Sequence, residues 1–337
     1  MNILLLPIGK RSYLIEYFQD ALAGQGEVHA SNSEMQPAML VADKYFISPT
    51  MFSPGYKDSI LNYCIENKIN AVIPLTDLNL PVFSKAKSEF LSHGIKIIVA
   101  DYDIVEACND KWLTHLYMEK NNILTPQSFL SKQEFINSIN KGECSYPVVI
   151  KPRFGMGSIG VFIAEDESEL DLYLAVSDKV IRKSFLKNTI SADIKHASII
   201  QSKINGVEYG LDVVNDLNGN HRATFIKHKL GIIAGESNPI VFESHEPILK
   251  LGKQIGETLR HPANCNVDCM FSEDKVYALD LNPRFGGCYP FSQLAGANVP
   301  RAIVKWLSGG EPDECDLKVN IGTFCYKDNV AKIGIMS

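Results

Sequence analysis

A chain of 337 residues points to about two domains, and an apolar fraction of 45% allows a sizeable core. The net charge of -6 supplies no overall basic surface, which weighs against a nucleic-acid partner. The eight cysteines contain no CxxC pair and no Cys/His spacing of a zinc site, so they are expected to be buried free thiols in a reducing compartment.

The opening "MNILLLPIGKRSYL" lacks the basic start and small-residue cleavage site of a signal peptide. No apolar run approaches the ~18 residues of a membrane span. A cytoplasmic protein without a membrane partner is the expectation. "NILLLPIG" reads as a buried parallel strand and "RSYLIEYFQDALAGQG" as the helix after it. "VHAS", "KYFIS", "AVIPLTD" and "KIIVA" read as further strands, with "YKDSILNYCIENK" and "VFSKAKSEFLSHG" as helices between them. This alternation predicts a doubly wound parallel sheet over residues 1–100. Asp77, at the carboxyl end of a strand, either faces a ligand crevice, where it would touch an amine substrate, or caps a helix.

Beyond residue 100, "IVEACNDKWLTHLYMEKNN" reads as one helix, and "YPVVIKPRFGMGSIGVFIAED" as two strands around a glycine loop. "GMGSIG" matches GxGxxG, but a strand follows it where a dinucleotide-binding loop requires a helix. A nicotinamide cofactor is therefore not expected. Between antiparallel strands such a loop is either a flap whose N–H groups cover phosphates or a plain glycine-rich turn. Lys151, four residues before it, is placed to hold an α- or β-phosphate. Arg153 meets a substrate carboxylate or a surface acid. The stretch 197–231 reads as antiparallel strands around the "LNGN" turn, and "HEPILKLGKQIGETLRHP" as an amphipathic helix.

"CNVDCMFSEDKVYALDLNPR" reads as a hairpin turning near Asp274. Asp280, Asn282 and Arg284 alternate along its second strand, and Val276 and Ala278 are assigned to the same face. Asp268, on the first strand, falls across from Asp280. Two adjacent carboxylates raise each other's pKa unless a cation intervenes, and Mg²⁺ takes such ligands together with phosphate oxygens. Arg284 would point at the same phosphates or at the charge developing during transfer. No GxSxG elbow, HExxH or P-loop is present.

Five motifs in order, "NDKWLT", "YPVVIKPRFGMGSIGV", "IIQSKINGVEYGLDVV", "KHKLGIIAGES" and "VDCMF…ALDLNPRFGG", resemble the ATP-grasp superfamily, in particular single-unit relatives of the carbamoyl-phosphate synthetase large subunit. The resemblance implies a mixed α/β and α+β chain: a pre-ATP-grasp domain at 1–100 with its doubly wound parallel sheet, then a two-lobed ATP-grasp fold at 101–310. Its small flap lobe would cover about 125–205 and its larger antiparallel lobe about 206–310. Residues 311–337 stay unassigned. It further implies ATP with Mg²⁺ or Mn²⁺. Lys111 and Lys151 would be the nucleotide lysines, and Gly155, Met156, Gly157, Ser158 and Gly160 the flap. Gln201, Ser202, Lys203 and Ile204 would contact adenine, and Glu208 the ribose. Lys227, His228 and Lys229 would form a basic cluster near the triphosphate or substrate. Asp268, Asp280 and Asn282 would be the metal ligands, with Lys151 and Arg284 as catalytic contacts. The activity implied is ligation of a carboxylate to an amine, amino acid or ammonia through an acyl phosphate. Small-molecule substrates are the partners, and a homodimer is compatible with the family. The alternative is a non-catalytic nucleotide-binding or regulatory protein. Tyr289 and Phe291 are expected in core packing rather than in an acceptor pocket.

Overall fold

Short apolar strands bounded by helices build the first unit: β1 (Asn2–Leu6), α1 (Ser12–Leu22), β2 (Val28–Asn32), β3 (Lys44–Ile47), α2 (Tyr56–Glu66), β4 (Ile69–Pro74), α3 (Leu80–Ser92) and β5 (Lys96–Ile97). The strands pair in parallel in the order β3-β2-β1-β4-β5. Strand order reverses between β1 and β4, and their carboxyl ends open the crevice where open α/β sheets place ligands. The structure is a computed structural model and describes residues 1–155, 159–184, 196–233 and 236–328.

The segment expected as one helix is two, α4 (Tyr102–Asn109) and α5 (Lys111–Lys120), broken at Asp110. Asp110 is extended, and its side chain caps α5 by accepting from the Trp112 N–H at 3.0 Å. An acceptor one residue before a helical run competes with continued helix, and here the cap wins.

A small lobe follows: β6 (Ser128–Phe129), α6 (Lys132–Asn140), β7 (Val148–Pro152), β8 (Phe162–Ala164), α7 (Glu167–Lys183) and β9 (Ser198–Ser202). Its four strands are antiparallel in the order β6-β9-β7-β8. Phe129, Phe135, Val148, Ile150, Ala164, Leu170 and Ile200 form its core.

The large lobe holds β10 (Val207–Asn215), β11 (His221–Lys229), β12 (Ile232–Ile233), β13 (Glu236–Ser237), β14 (Ile240–Phe242), α8 (Glu246–Leu259), β15 (Ala263–Ser272), β16 (Lys275–Asn282), α9 (Tyr289–Leu294), α10 (Val299–Leu307) and β17 (Phe324–Cys325). Six strands form one sheet in the order β16-β15-β10-β11-β14-β17, so part of the segment after 310 completes the sheet edge. α8 buries Ile248, Leu251, Ile255 and Leu259, spaced as one helical face, against Leu211, Val213, Val267, Cys269, Ala278 and Leu281. The opposite face of this sheet is shared between the cleft and the core that Phe225, Ile240, Phe242 and Ala263 form with the first unit.

The first unit does not stand apart. Leu14, Ile15 and Phe18 of α1 share one core with Phe285, Tyr289, Phe291, Val299 and Ile303. Phe18 meets Phe285 edge-on, with ring centroids 6.3 Å apart, and Phe285 meets Tyr289 at 4.7 Å. Tyr289 and Phe291 are thus core residues, as expected from sequence. The cysteines are less uniform than expected: Cys64, Cys108, Cys265, Cys269 and Cys325 are buried, Cys144 and Cys288 are half-buried, and Cys315 is exposed.

Candidate active site

The hairpin β15–β16 turns on Glu273 and Asp274, both at positive φ as a tight two-residue turn requires. That turn sets the register which places Asp268 opposite Asp280 and Asn266 opposite Asn282. Between Asp280 and Ala278 the register slips by one residue, and Leu279 is the extra one. The assignment of Ala278 and Asp280 to one face is therefore corrected. Ala278 is buried with α8, whereas Leu279, Asp280 and Asn282 all line the cleft. The bulge switches the strand's alternation at the point where its apolar face ends.

The cleft, about 640 Å³, runs between the two lobes and reaches the first unit. Lys151, at the end of β7, places Nζ 3.5 Å from Asp280 Oδ1 across the gap. Lys111, the first residue of α5, places Nζ 3.3 Å from the same oxygen and donates to the Gly155 carbonyl at 3.2 Å. Burial pulls the Lys151 ammonium below its ordinary pKa; Asp280 works against this and Lys111 adds to it. Burial alone would raise Asp280, but Lys111 and Lys151 outweigh it and hold the carboxylate below the usual range. On the neighbouring strands, Lys229 Nζ donates to Glu208 Oε1 at 2.6 Å and to Asp268 Oδ1 at 2.7 Å. Its burial would lower the ammonium pKa, yet Asp268 and Glu208 carry it above the ordinary value.

The basic cluster expected at 227–229 is split by strand alternation. Lys227 and Lys229 face the cleft, Lys227 buried on Asp212 at 2.6 Å. His228 faces the other way, onto Glu243 at 2.8 Å and the Tyr209 ring. Gln201 is buried with Nε2 donating to Ser128 Oγ at 2.9 Å, and it lines the cleft together with Ser202, Lys203 and Ile204. The Ser202 N–H donates to Gln127 and the Lys203 N–H to Pro147. Gly155 lines the cleft, and Gly160 lies against Pro152 and Val180. Met156, Gly157 and Ser158 lie outside the described residues.

Arg284 lines the cleft and donates through Nη2 and Nε to Asp77 Oδ2, at 2.7 and 3.3 Å. Burial would lower the Arg284 pKa, but Asp77 raises it above the ordinary value. Asp77 is thus neither the cap of α3, a position held by Asn79, nor a free acid. Arg153 is paired with Asp110, which is buried.

Sequence reasoning missed Asn266, which lines the cleft two residues before Asp268 on the same face, a spacing that was readable. It also missed the apolar walls, Val149 and Ile163 from the small lobe and Met270 and Leu279 from the large one.

A family model described as "ATP-grasp domain" matches residues 108–288, and one described as "PylC-like, N-terminal domain" matches residues 3–98. The first covers more than half of the chain. The chain belongs to the ATP-grasp family. It is 21% identical over 305 residues to the carbamoyl phosphate synthase large chain of Clostridium acetobutylicum, covering 86% of this chain and 26% of that one. It is 25% identical over 317 residues to the carbamoyl-phosphate synthase of Methanobrevibacter smithii, covering 90% and 80%. The chain spans about a quarter of the length of the first of these relatives. Its fold is that of the biotin carboxylase domain of Hydrogenobacter thermophilus 2-oxoglutarate carboxylase, solved with MgADP, ADP and bicarbonate: the TM-score is 0.74 at 16% identity, covering 96% of this chain and 73% of that one.

The ATP-grasp cleft fits a polyphosphate with a divalent cation by its donor set. Two carboxylates and two amides, Asp268, Asp280, Asn266 and Asn282, line it together, a donor set that hard cations complete with phosphate oxygens. The floor between them is Gly210, where a Cβ would lie 3.3 Å from Lys229 Cε and 3.9 Å from Asp268 Oδ1. A side chain there would crowd Lys229 and Asp268. Each acid meets a lysine within the cleft, so an entering nucleotide can exchange partners: lysines turn to phosphate and carboxylates to the cation.

Proposed function

We propose that this ATP-grasp chain is an ATP- and Mg²⁺-dependent ligase. It joins a carboxylate to an amine, an amino acid or ammonia, and releases ADP and phosphate. The observation that carries the reading is the convergence of Lys111 and Lys151 on Asp280, beside Asp268, in a cleft with apolar walls.

In this reading the space between Val149, Ile163, Met270 and Leu279 holds adenine. Gln201 offers its side-chain oxygen to the exocyclic amine, and Ile204 contributes its N–H, since those of Ser202 and Lys203 are already used. Glu208 meets the ribose. Lys111 and Lys151 grip the phosphates, covered by the loop from Gly155. Asp268, Asp280 and Asn282 hold Mg²⁺, which supplies charge neutralisation and orientation of the phosphate oxygens. Arg284 receives the substrate carboxylate, and a carboxylate oxygen attacks the γ-phosphorus as ADP leaves. The amine then attacks the acyl carbon of the resulting acyl phosphate, and phosphate leaves with that oxygen. The chain's part is positioning and charge stabilisation rather than side-chain nucleophilicity.

A carboxylate labelled with ¹⁸O tests this directly. Phosphate recovered from a productive reaction carries one labelled oxygen; unlabelled phosphate would mean that water, not the carboxylate, attacked ATP.

A further inference from the structure

Arg153 and Asp110 line no part of the cleft, yet they sit directly behind its two phosphate-facing lysines. Arg153 is two residues beyond Lys151 and Asp110 immediately precedes Lys111. The guanidinium donates through Nε to Asp110 Oδ1 at 3.0 Å and through Nη2 to Asp110 Oδ2 at 2.5 Å, a two-pronged contact. Its Nη1 donates to the His196 carbonyl at 3.3 Å. The backbones are joined as well: the Lys111 N–H donates to the Arg153 carbonyl at 3.0 Å, and the Arg153 N–H to Ala197 at 2.9 Å. Asp110 is 4% exposed. It also caps α5 through Trp112, and its carbonyl accepts from Thr114 N–H at 2.7 Å.

These contacts close a ring. Lys111 leads to Asp110, Asp110 to Arg153, Arg153 to Lys151, and both ammonium groups return to Asp280. The small lobe hangs on this ring at β7, and α5 starts from it. We propose that the Asp110–Arg153 pair is a positioning device that fixes the separation of Lys111 and Lys151, and so tunes the cleft for a di- or triphosphate over a monophosphate. The inference rests on the nucleotide reading of the cleft given above. A rigid brace between the two backbones fixes the spacing of the points from which the lysines reach, so less ordering of the lobes is left to binding. The pair touches neither adenine nor ribose in that reading, so its effect is confined to the phosphate end.

The test is calorimetric titration of the full chain with Mg-ATP, Mg-ADP and AMP. Asp110→Asn keeps an oxygen for the Trp112 cap and loses the charge. Arg153→Lys keeps the charge and loses the fork. Each is expected to weaken ATP and ADP by about tenfold, about one hydrogen-bonded contact's worth, while AMP stays within about twofold. A purely structural pair would lower the melting temperature and leave the ATP-to-AMP affinity ratio of the folded protein where it was; that result overturns the proposal. Equal losses for ATP and AMP overturn it too. A parent protein that bound ATP no better than AMP would instead overturn the nucleotide reading itself.

Discussion

Asp280 accepts from two lysines carried by different elements, Lys111 on α5 and Lys151 on β7, while Asn282 flanks it on the same strand. Its carboxylate is held below 3.8 because the two ammonium groups outweigh burial. A lowered acid stabilises the fold above its unfolded pKa and loses that contribution as pH falls through the folded value. Asp280→Asn is therefore expected to unfold more easily than the parent at pH 7, with the gap closing only below about pH 4. Denaturant titrations across that range check it, and a gap closing near neutrality would contradict the pairing. For activity, Asp280→Ala and Asn282→Ala are each expected to lower ATP turnover by about a hundredfold or more, with circular dichroism unchanged. Near-normal ATP consumption in either variant would remove these residues from the metal set.

At the scale of elements, the hairpin β15–β16 was legible because Asp268 stood alone among apolar neighbours and the turn near Asp274 fixed the count across the strands. The bulge at Leu279 was not, because a one-residue slip leaves no mark in an apolar–polar pattern that is plausible either way. The break at Asp110 was equally hidden: helical periodicity continues through it, and the local cap on Trp112 decides against that periodicity. α8 ends on Arg260 in the left-handed region, and His261 follows, fully buried, with Nε2 donating to the Val213 carbonyl at 3.0 Å. Burial pulls its pKa from 6.5 to about 4. The unfolded chain therefore binds a proton that the folded chain refuses, and stability falls as pH drops from 6.5 towards 4, by about 3 kcal/mol in all. His261→Gln is expected to flatten that part of the pH–stability curve in urea titrations; an unchanged slope would assign the loss to other groups.

At the scale of the whole molecule, the first unit is tied to the rest through the core around α1 and through the Asp77–Arg284 pair. The pair spans 207 residues of sequence, with Asp77 15% and Arg284 13% exposed. Nothing local in "PLTDLN" or "LNPRFGG" names its partner, which is why Asp77 stayed ambiguous from sequence. The parallel sheet itself was readable, since short strand-forming runs such as those of β1 and β4 alternate with helical stretches. Removing one member of a buried pair strands the other, so Asp77→Ala should cost about 3–5 kcal/mol. The double change Asp77→Ala with Arg284→Met should recover much of it. A single-variant cost under about 1 kcal/mol would place the pair among exposed bridges.

The most direct test of the ligase reading is release of ADP and phosphate from Mg-ATP across a panel of carboxylates, each paired with amines, amino acids or ammonia. The account predicts release that requires both partners, together with a product whose mass is their sum less one water. Phosphate release indifferent to both partners, with no condensed product, would contradict it.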